Sequence, residues 1–159
     1  MNRIIIRIHN GMQWIYNGRP FEPTEEFLEQ FQGFVYIITD RATNKKYVGK
    51  KFFWSTRKLP PLKGKTRRRT KKVQSDWLDY YGSSEDVKLL VEKKGEDVFY
   101  REILYLCKTK GECSYLEAKE QFDRDVLLRD DYHNEFIGCK IHSKFVKNLR
   151  ENLKETLDI

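Results

Sequence analysis

A chain of 159 residues can bury one core but not two, and its modest hydrophobic fraction of 39% leaves the aromatics, at 14%, to supply much of the buried area. No apolar run approaches a membrane span, and three cysteines without CxxC or Cys/His spacing exclude a disulfide scaffold and a zinc module. The formal charge of +7 is concentrated: Arg57, Lys58, Lys63, Lys65, Arg67, Arg68, Arg69, Lys71 and Lys72 follow one another with no acid between them.

In chain order, Arg3–Ile8 is β-branched, Asn10-Gly11 is hairpin-turn chemistry, and Met12–Tyr16 is a returning strand, which makes an N-terminal β-ribbon. The run Met1–Ile6 is too short for a signal peptide, so the expected compartment is the cytoplasm. Asn17-Gly18, Pro20 and Pro23 break the strand pattern, and Thr24 caps a short helix over Glu25–Phe31. Gly33 ends that helix. Phe34–Thr39 and Lys45–Lys51 then read as two strands joined by the turn Asp40–Asn44.

After Trp54 the basic run reads as a loop, since Pro60-Pro61 and Gly64 prevent a long helix. Such a block repels itself and is stabilised by a polyanion. Flanking aromatics (Phe52, Phe53, Trp54, Trp77, Tyr80, Tyr81) make nucleic acid the expected partner, although the last three are more often core than stacking platform.

Helical signals follow: a segment capped at Ser75 or Asp76, and a second opened by Ser83-Ser84-Glu85-Asp86 and ended near Gly95. Phe99–Leu106 is a third strand. Ser114 is read as the cap of a helix with an apolar stripe of Tyr115, Ala118, Phe122 and Val126, and the tail from Ser143 to Leu157 as a charged amphipathic helix. Cys107, Cys113 and Cys139 are expected to be small buried side chains in a reducing compartment. The predicted fold is α+β, with a small three-stranded antiparallel sheet flanked by helices, an N-terminal β-ribbon and a C-terminal charged helix. Its expected units are residues 1–32, 33–142 and 143–159.

Phe34-Val35-Tyr36 followed by Tyr47-Val48-Gly49 resembles the paired motifs of the GIY-YIG nucleases, and the resemblance runs over roughly residues 33 to 135. The segments Ser75-Asp76-Trp77, Tyr80–Ser84 and Tyr132-His133-Asn134 are similar to Seg-like homing endonucleases encoded by phages, which would place the protein in the cytoplasm of an infected bacterial host. The resemblance implies a metal-dependent DNA endonuclease with Tyr36, Tyr47, Arg57 and Glu117 as catalytic residues. Glu117 would hold Mg²⁺ or Mn²⁺, and Tyr47 or Tyr36 would position or deprotonate water, with a phenol pKa lowered by Lys50 or Lys51. Arg57 would stabilise the phosphate's charge, although the family's arginine usually lies in a helix and Arg57 precedes Leu59-Pro60-Pro61, so Lys50, Lys51 and Lys58 are substitutes. Asn134 would bond Glu117 or the phosphate. Lys50, Lys51, Asn134 and the basic run from Lys63 would contact DNA.

Duller readings stand beside these. The tyrosines can be ordinary cross-strand aromatics. Glu117 can complete a capping box with Ser114, and Glu120 competes for the ion. The alternative function is a non-catalytic nucleic-acid-binding or host-targeting protein that keeps the fold. So short a chain implies modest sequence preference, recognition of DNA structure, or a homodimer.

Overall fold

The computed structural model describes residues 13–146 and 149. The expected strand Arg3–Ile8, its Asn10-Gly11 turn and most of the expected C-terminal helix lie outside the described residues. A 3-10 turn at Ser143–Phe145 opens that last segment, and Leu149 is buried.

The architecture is mixed α+β. Its main sheet has five strands in the order β2 (Arg19–Pro20), β1 (Trp14–Tyr16), β7 (Phe99–Cys107), β3 (Gly33–Asp40), β4 (Lys46–Phe52). The expected antiparallel trio is present as β7-β3-β4, but β1 adds to β7 in parallel, so the sheet is larger than three strands and is mixed. Asn17-Gly18 does not break the ribbon; it makes it. Both residues have positive φ, 51° and 77°, the geometry of a tight hairpin turn, and they pair Tyr16 with Arg19. Pro20 is tolerated because β2 is the sheet edge, where no ladder N–H is required.

Helices cover both faces. α1 (Glu25–Glu29) is capped by Thr24, whose hydroxyl accepts from Phe27 N at 3.1 Å, and α2 (Glu85–Lys94) by Ser84. Both pack on the face carrying Phe34, Tyr36 and Ile38, where Trp14, Phe53, Trp77 and Phe99 complete an aromatic core. Ring pairs there meet edge-on, at 4.9 Å for Trp14–Phe34 and 5.1 Å for Phe53–Trp77, each worth about 0.5–1.5 kcal/mol beyond simple burial. Residues 77–79 form only a 3-10 turn, because Trp77 and Tyr81 are drawn into this core from an extended chain.

The opposite face, with Val35, Ile37 and Val48, is covered by α3 (Lys110–Asp123). This helix starts earlier than Ser114. Thr109 is the cap: its hydroxyl accepts from Glu112 N at 3.1 Å, and the Glu112 carboxylate reaches back past it to accept from Lys108 N at 2.8 Å. The shift in start moves the buried stripe. Cys113, Leu116 and Gln121 face inward with Ala118, while Phe122 is 61% exposed. Cys107 and Cys113 are buried as expected; Cys139 is exposed.

The basic run is not a loop. β5 (Trp54–Leu59) and β6 (Arg69–Gln74) form a separate two-stranded antiparallel hairpin, with Pro60, Pro61 and Gly64 confined to its tip. The breakers that exclude a helix are those that allow a turn.

Candidate active site

In the β3–β4 register Tyr36 lies opposite Gly49 and Ile38 opposite Tyr47, so the two tyrosines are diagonal neighbours on one face. Their ring centroids are 6.3 Å apart. Gly49 makes this possible. A Cβ there would lie 2.7 Å from Tyr36 Cζ and 3.0 Å from Tyr47 Cε1, so only a residue without a side chain lets the Tyr36 phenol extend across β4.

β4 is the outer strand of the sheet, and the site wraps around its outer edge. From the far face α3 brings Glu117, whose carboxylate accepts from Lys50 Nζ at 3.2 Å and from the Lys50 backbone N–H. The Glu117 side chain is only 15% exposed. Burial raises its pKa, and Lys50 offsets this only in part. Tyr47, Lys50, Tyr80, Ser83, Glu117 and Asn134 are among the residues lining a cleft of about 580 Å³. Glu120 is elsewhere, accepting from Tyr105 Oη at 2.7 Å and Arg124 Nε at 2.8 Å.

The phenols are not poised to ionise. Burial pushes the Tyr36 pKa well above the usual range, reinforced by Tyr80 and Tyr47. Its hydroxyl has no well-directed hydrogen-bond partner among the described residues. Burial likewise raises Tyr47, although its hydroxyl shares a 2.8 Å hydrogen bond with Ser83, which pulls the other way. The expected lysines do not lower it. Lys50 is turned to Glu117, and Lys51 pairs with Asp76 at 2.6 Å with its ammonium 4.1 Å from the Tyr80 ring centroid.

Asn134 lines the cleft but bonds neither Glu117 nor an exposed group. Its Oδ1 accepts from Val48 N at 3.0 Å and its Nδ2 donates to Val48 O at 2.8 Å, which satisfies the outward side of β4. Backbone bonds from Lys46 N to Asp131 O and from His133 N to Lys46 O continue this cover. Asn134→Ala is therefore expected to cost about 1–3 kcal/mol, the range for stranding a buried polar group. Urea unfolding should show a lower midpoint at unchanged slope.

Arg57 lies mid-way along β5 opposite Lys71, is exposed, and does not line the cleft. Lys63, Lys65, Arg67 and Arg68 are exposed at the hairpin tip, with Arg69, Lys71 and Lys72 along β6. Sequence reasoning missed Tyr80 and Ser83 as cleft residues. Tyr80 is held there by Arg101, fully buried, whose guanidinium donates to Leu78 O at 3.0 Å and Tyr80 O at 2.9 Å beneath the Trp14 and Tyr81 rings. The visible signal was Gly82-Ser83, a turn placing a hydroxyl just before the α2 cap.

An antiparallel hairpin with two tyrosines on one face, and a carboxylate brought round its edge, is the arrangement anticipated for a GIY-YIG fold. Residues 14–137 match the family model SegE_GIY-YIG, described as "Putative endonuclease segE, GIY-YIG domain". No curated protein and no solved structure gives a significant match. The chain belongs to the SegE-type GIY-YIG endonuclease family, a class whose substrate is DNA. Among the described residues no helix is long and apolar enough to cross a membrane.

Proposed function

We propose that the protein hydrolyses DNA phosphodiester bonds with one divalent ion, Mg²⁺ or Mn²⁺, held by Glu117. The observation that supports this most is the meeting, at one edge strand, of a desolvated carboxylate with two phenols from the other face. The donor set suits such an ion. Among the described residues no group of three or more His, Cys, Asp or Glu side chains gathers into a cage, but Mg²⁺ commonly binds through one or two carboxylates, keeping its waters and taking substrate oxygens. When bound, the ion would polarise the scissile phosphate and neutralise the departing 3′ oxygen.

The chain's own groups do the rest. Tyr47, kept protonated by burial and fixed by Ser83, orients the attacking water, whose proton leaves to a non-bridging phosphate oxygen and from there to solvent. Lys50, in the cleft beside Glu117, is the cation nearest this chemistry among the proposed site residues and stabilises charge on the phosphate, with Arg57 assigned to DNA contact. Tyr36, fully buried behind Tyr47 and Tyr80 and outside the lining of the cleft, acts by fixing those two rings rather than by touching the phosphate.

Supercoiled plasmid with Mg²⁺, with and without EDTA, tests the proposal; metal-dependent nicking is expected. Tyr36→Phe sharpens it. Losing a buried hydroxyl without a well-directed partner should change stability by no more than about 1 kcal/mol, while nicking falls at least about tenfold because Tyr47 and Tyr80 are no longer held in place. If nicking survives intact, Tyr36 is a packing residue. The exposed position of Arg57, outside the cleft, favours a second reading, a DNA-binding protein without turnover. It predicts salt-sensitive binding and no nicking with either metal.

A further inference from the structure

The β5–β6 hairpin is a two-stranded ribbon with no counterpart strand in the main sheet. None of its cations pairs with a carboxylate among the described residues; Arg69 Nε reaches only Pro60 O at 3.2 Å, and Lys72 lies 4.5 Å from the Trp54 ring centroid. Arg57 stands directly opposite Lys71, a like-charged cross-strand pair that is unfavourable in isolation. The ribbon therefore carries an electrostatic cost that an anionic ligand removes.

Its base is fixed. Trp54 Nε1 donates to Phe31 O at 3.0 Å and more weakly to Leu28 O, while Ser75 holds Phe52 O through its hydroxyl at 2.6 Å and Phe53 O through its N–H at 2.8 Å. β5 continues from β4 with only Phe53 between them, so the ribbon is set at a defined place relative to Tyr47 and Lys50.

The register sorts the side chains. Arg57, Arg69 and Lys71 share one face; Lys58, Thr70 and Lys72 share the other. Six residues per strand span about 20 Å at roughly 3.3 Å per residue. A two-stranded ribbon fits the B-DNA major groove, about 12 Å wide, and is too broad for the minor groove at about 6 Å.

We infer that β5–β6 inserts into the major groove of duplex DNA beside the cleavage site, with the Arg57, Arg69 and Lys71 face toward the base edges. Arginines there present the fork geometry that matches guanine O6 and N7. The remaining ribbon cations and the tip contact flanking phosphates. This rests on the reading of DNA as substrate.

The test measures binding of the full chain in EDTA, where the proposed cleavage cannot proceed, by fluorescence anisotropy. Probes are duplex DNA, an RNA duplex of the same sequence, and duplex DNA pre-bound with methyl green (major groove) or netropsin (minor groove). Methyl green and the RNA duplex are each expected to weaken binding by about tenfold or more, with netropsin nearly without effect, because A-form major grooves are too deep and narrow to enter. Arg57→Ala/Arg69→Ala, at exposed positions, should bind DNA weakly and lose its sensitivity to methyl green, with an unchanged circular dichroism spectrum. Blocking by netropsin alone, or equal affinity for the RNA duplex, overturns the inference. The nuclease reading fails separately: groove-sensitive binding without Mg²⁺-dependent nicking leaves the ribbon assignment standing, and nicking without groove sensitivity removes it.

Discussion

Glu117→Gln is expected to lower plasmid nicking by about a thousandfold, the equivalent of roughly 4 kcal/mol in the barrier, while duplex DNA affinity in EDTA stays within about twofold. The amide keeps the size of the side chain but removes the charge on which the ion depends. Stability gives an independent readout. Because burial raises the Glu117 pKa above its unfolded value, the folded chain holds the proton more tightly. The stability this contributes is complete below the ordinary glutamate range and is lost as pH rises through the elevated folded value. Ionising the carboxylate in the folded chain therefore carries a cost, which Lys50 offsets in part and an added dication relieves. Mg²⁺ should raise the melting temperature of the wild type at neutral pH and leave Glu117→Gln unmoved. Equal nicking by the variant would remove Glu117 from the chemistry.

Gly49→Ala is expected to be nearly as damaging, by a different route. The added methyl would occupy the space crossed by the Tyr36 ring, 2.7 Å from Cζ, and would also press on Tyr47. The Tyr36 ring cannot retreat easily: it is fully buried between Trp14, Phe34 and Tyr80, with centroids at 5.3, 6.0 and 6.0 Å. Overpacking of this kind costs about 1–3 kcal/mol. Nicking should fall at least about tenfold more than the stability loss accounts for, because both phenols move. Pairing the variant with Tyr36→Phe separates the two effects. The phenylalanine lacks the oxygen that meets the new methyl, so the double variant should regain part of the stability and none of the activity. Additive stability losses in the double variant would contradict this packing account.

The tyrosine pair was legible because an eleven-residue spacing across a turn leaves little choice of register, and Asp40–Asn44 is strong turn chemistry. Thr24 was legible as a cap for a similar local reason, and the second helix as opening within Ser83–Asp86. What failed was competition between equally local signals. Ser114 and Thr109 both precede a glutamate by three residues, at Glu117 and Glu112, and the choice between them rotated the predicted stripe. With the start at Thr109, Glu117 lies four residues from both Cys113 and Gln121 on the inward face. The parallel addition of β1 to β7 pairs Trp14 with Arg101, 87 positions apart, which no local pattern encodes. The hairpin at residues 54–74 was hidden because charge density suggested a solvated loop, while its two strands meet only in three dimensions. Arg57 could be singled out by its distance from Tyr47, but its placement on a ribbon rather than in the cleft depends on that missed pairing.

The way the strand borders end has a bearing on how copies of this protein can associate. Residues 131–134 occupy the outward hydrogen-bonding groups of β4. At the other end β2 offers two residues, one of them a proline. The ribbon's own margins are open but lined with lysine and arginine, which repel an identical margin. Three vulnerable borders are thus guarded by three separate devices: a cover, a shortened strand and a charge fence. Self-templated stacking into fibrils is disfavoured at each of them, and neutralising the basic residues of the ribbon would remove the one guard that depends on charge alone.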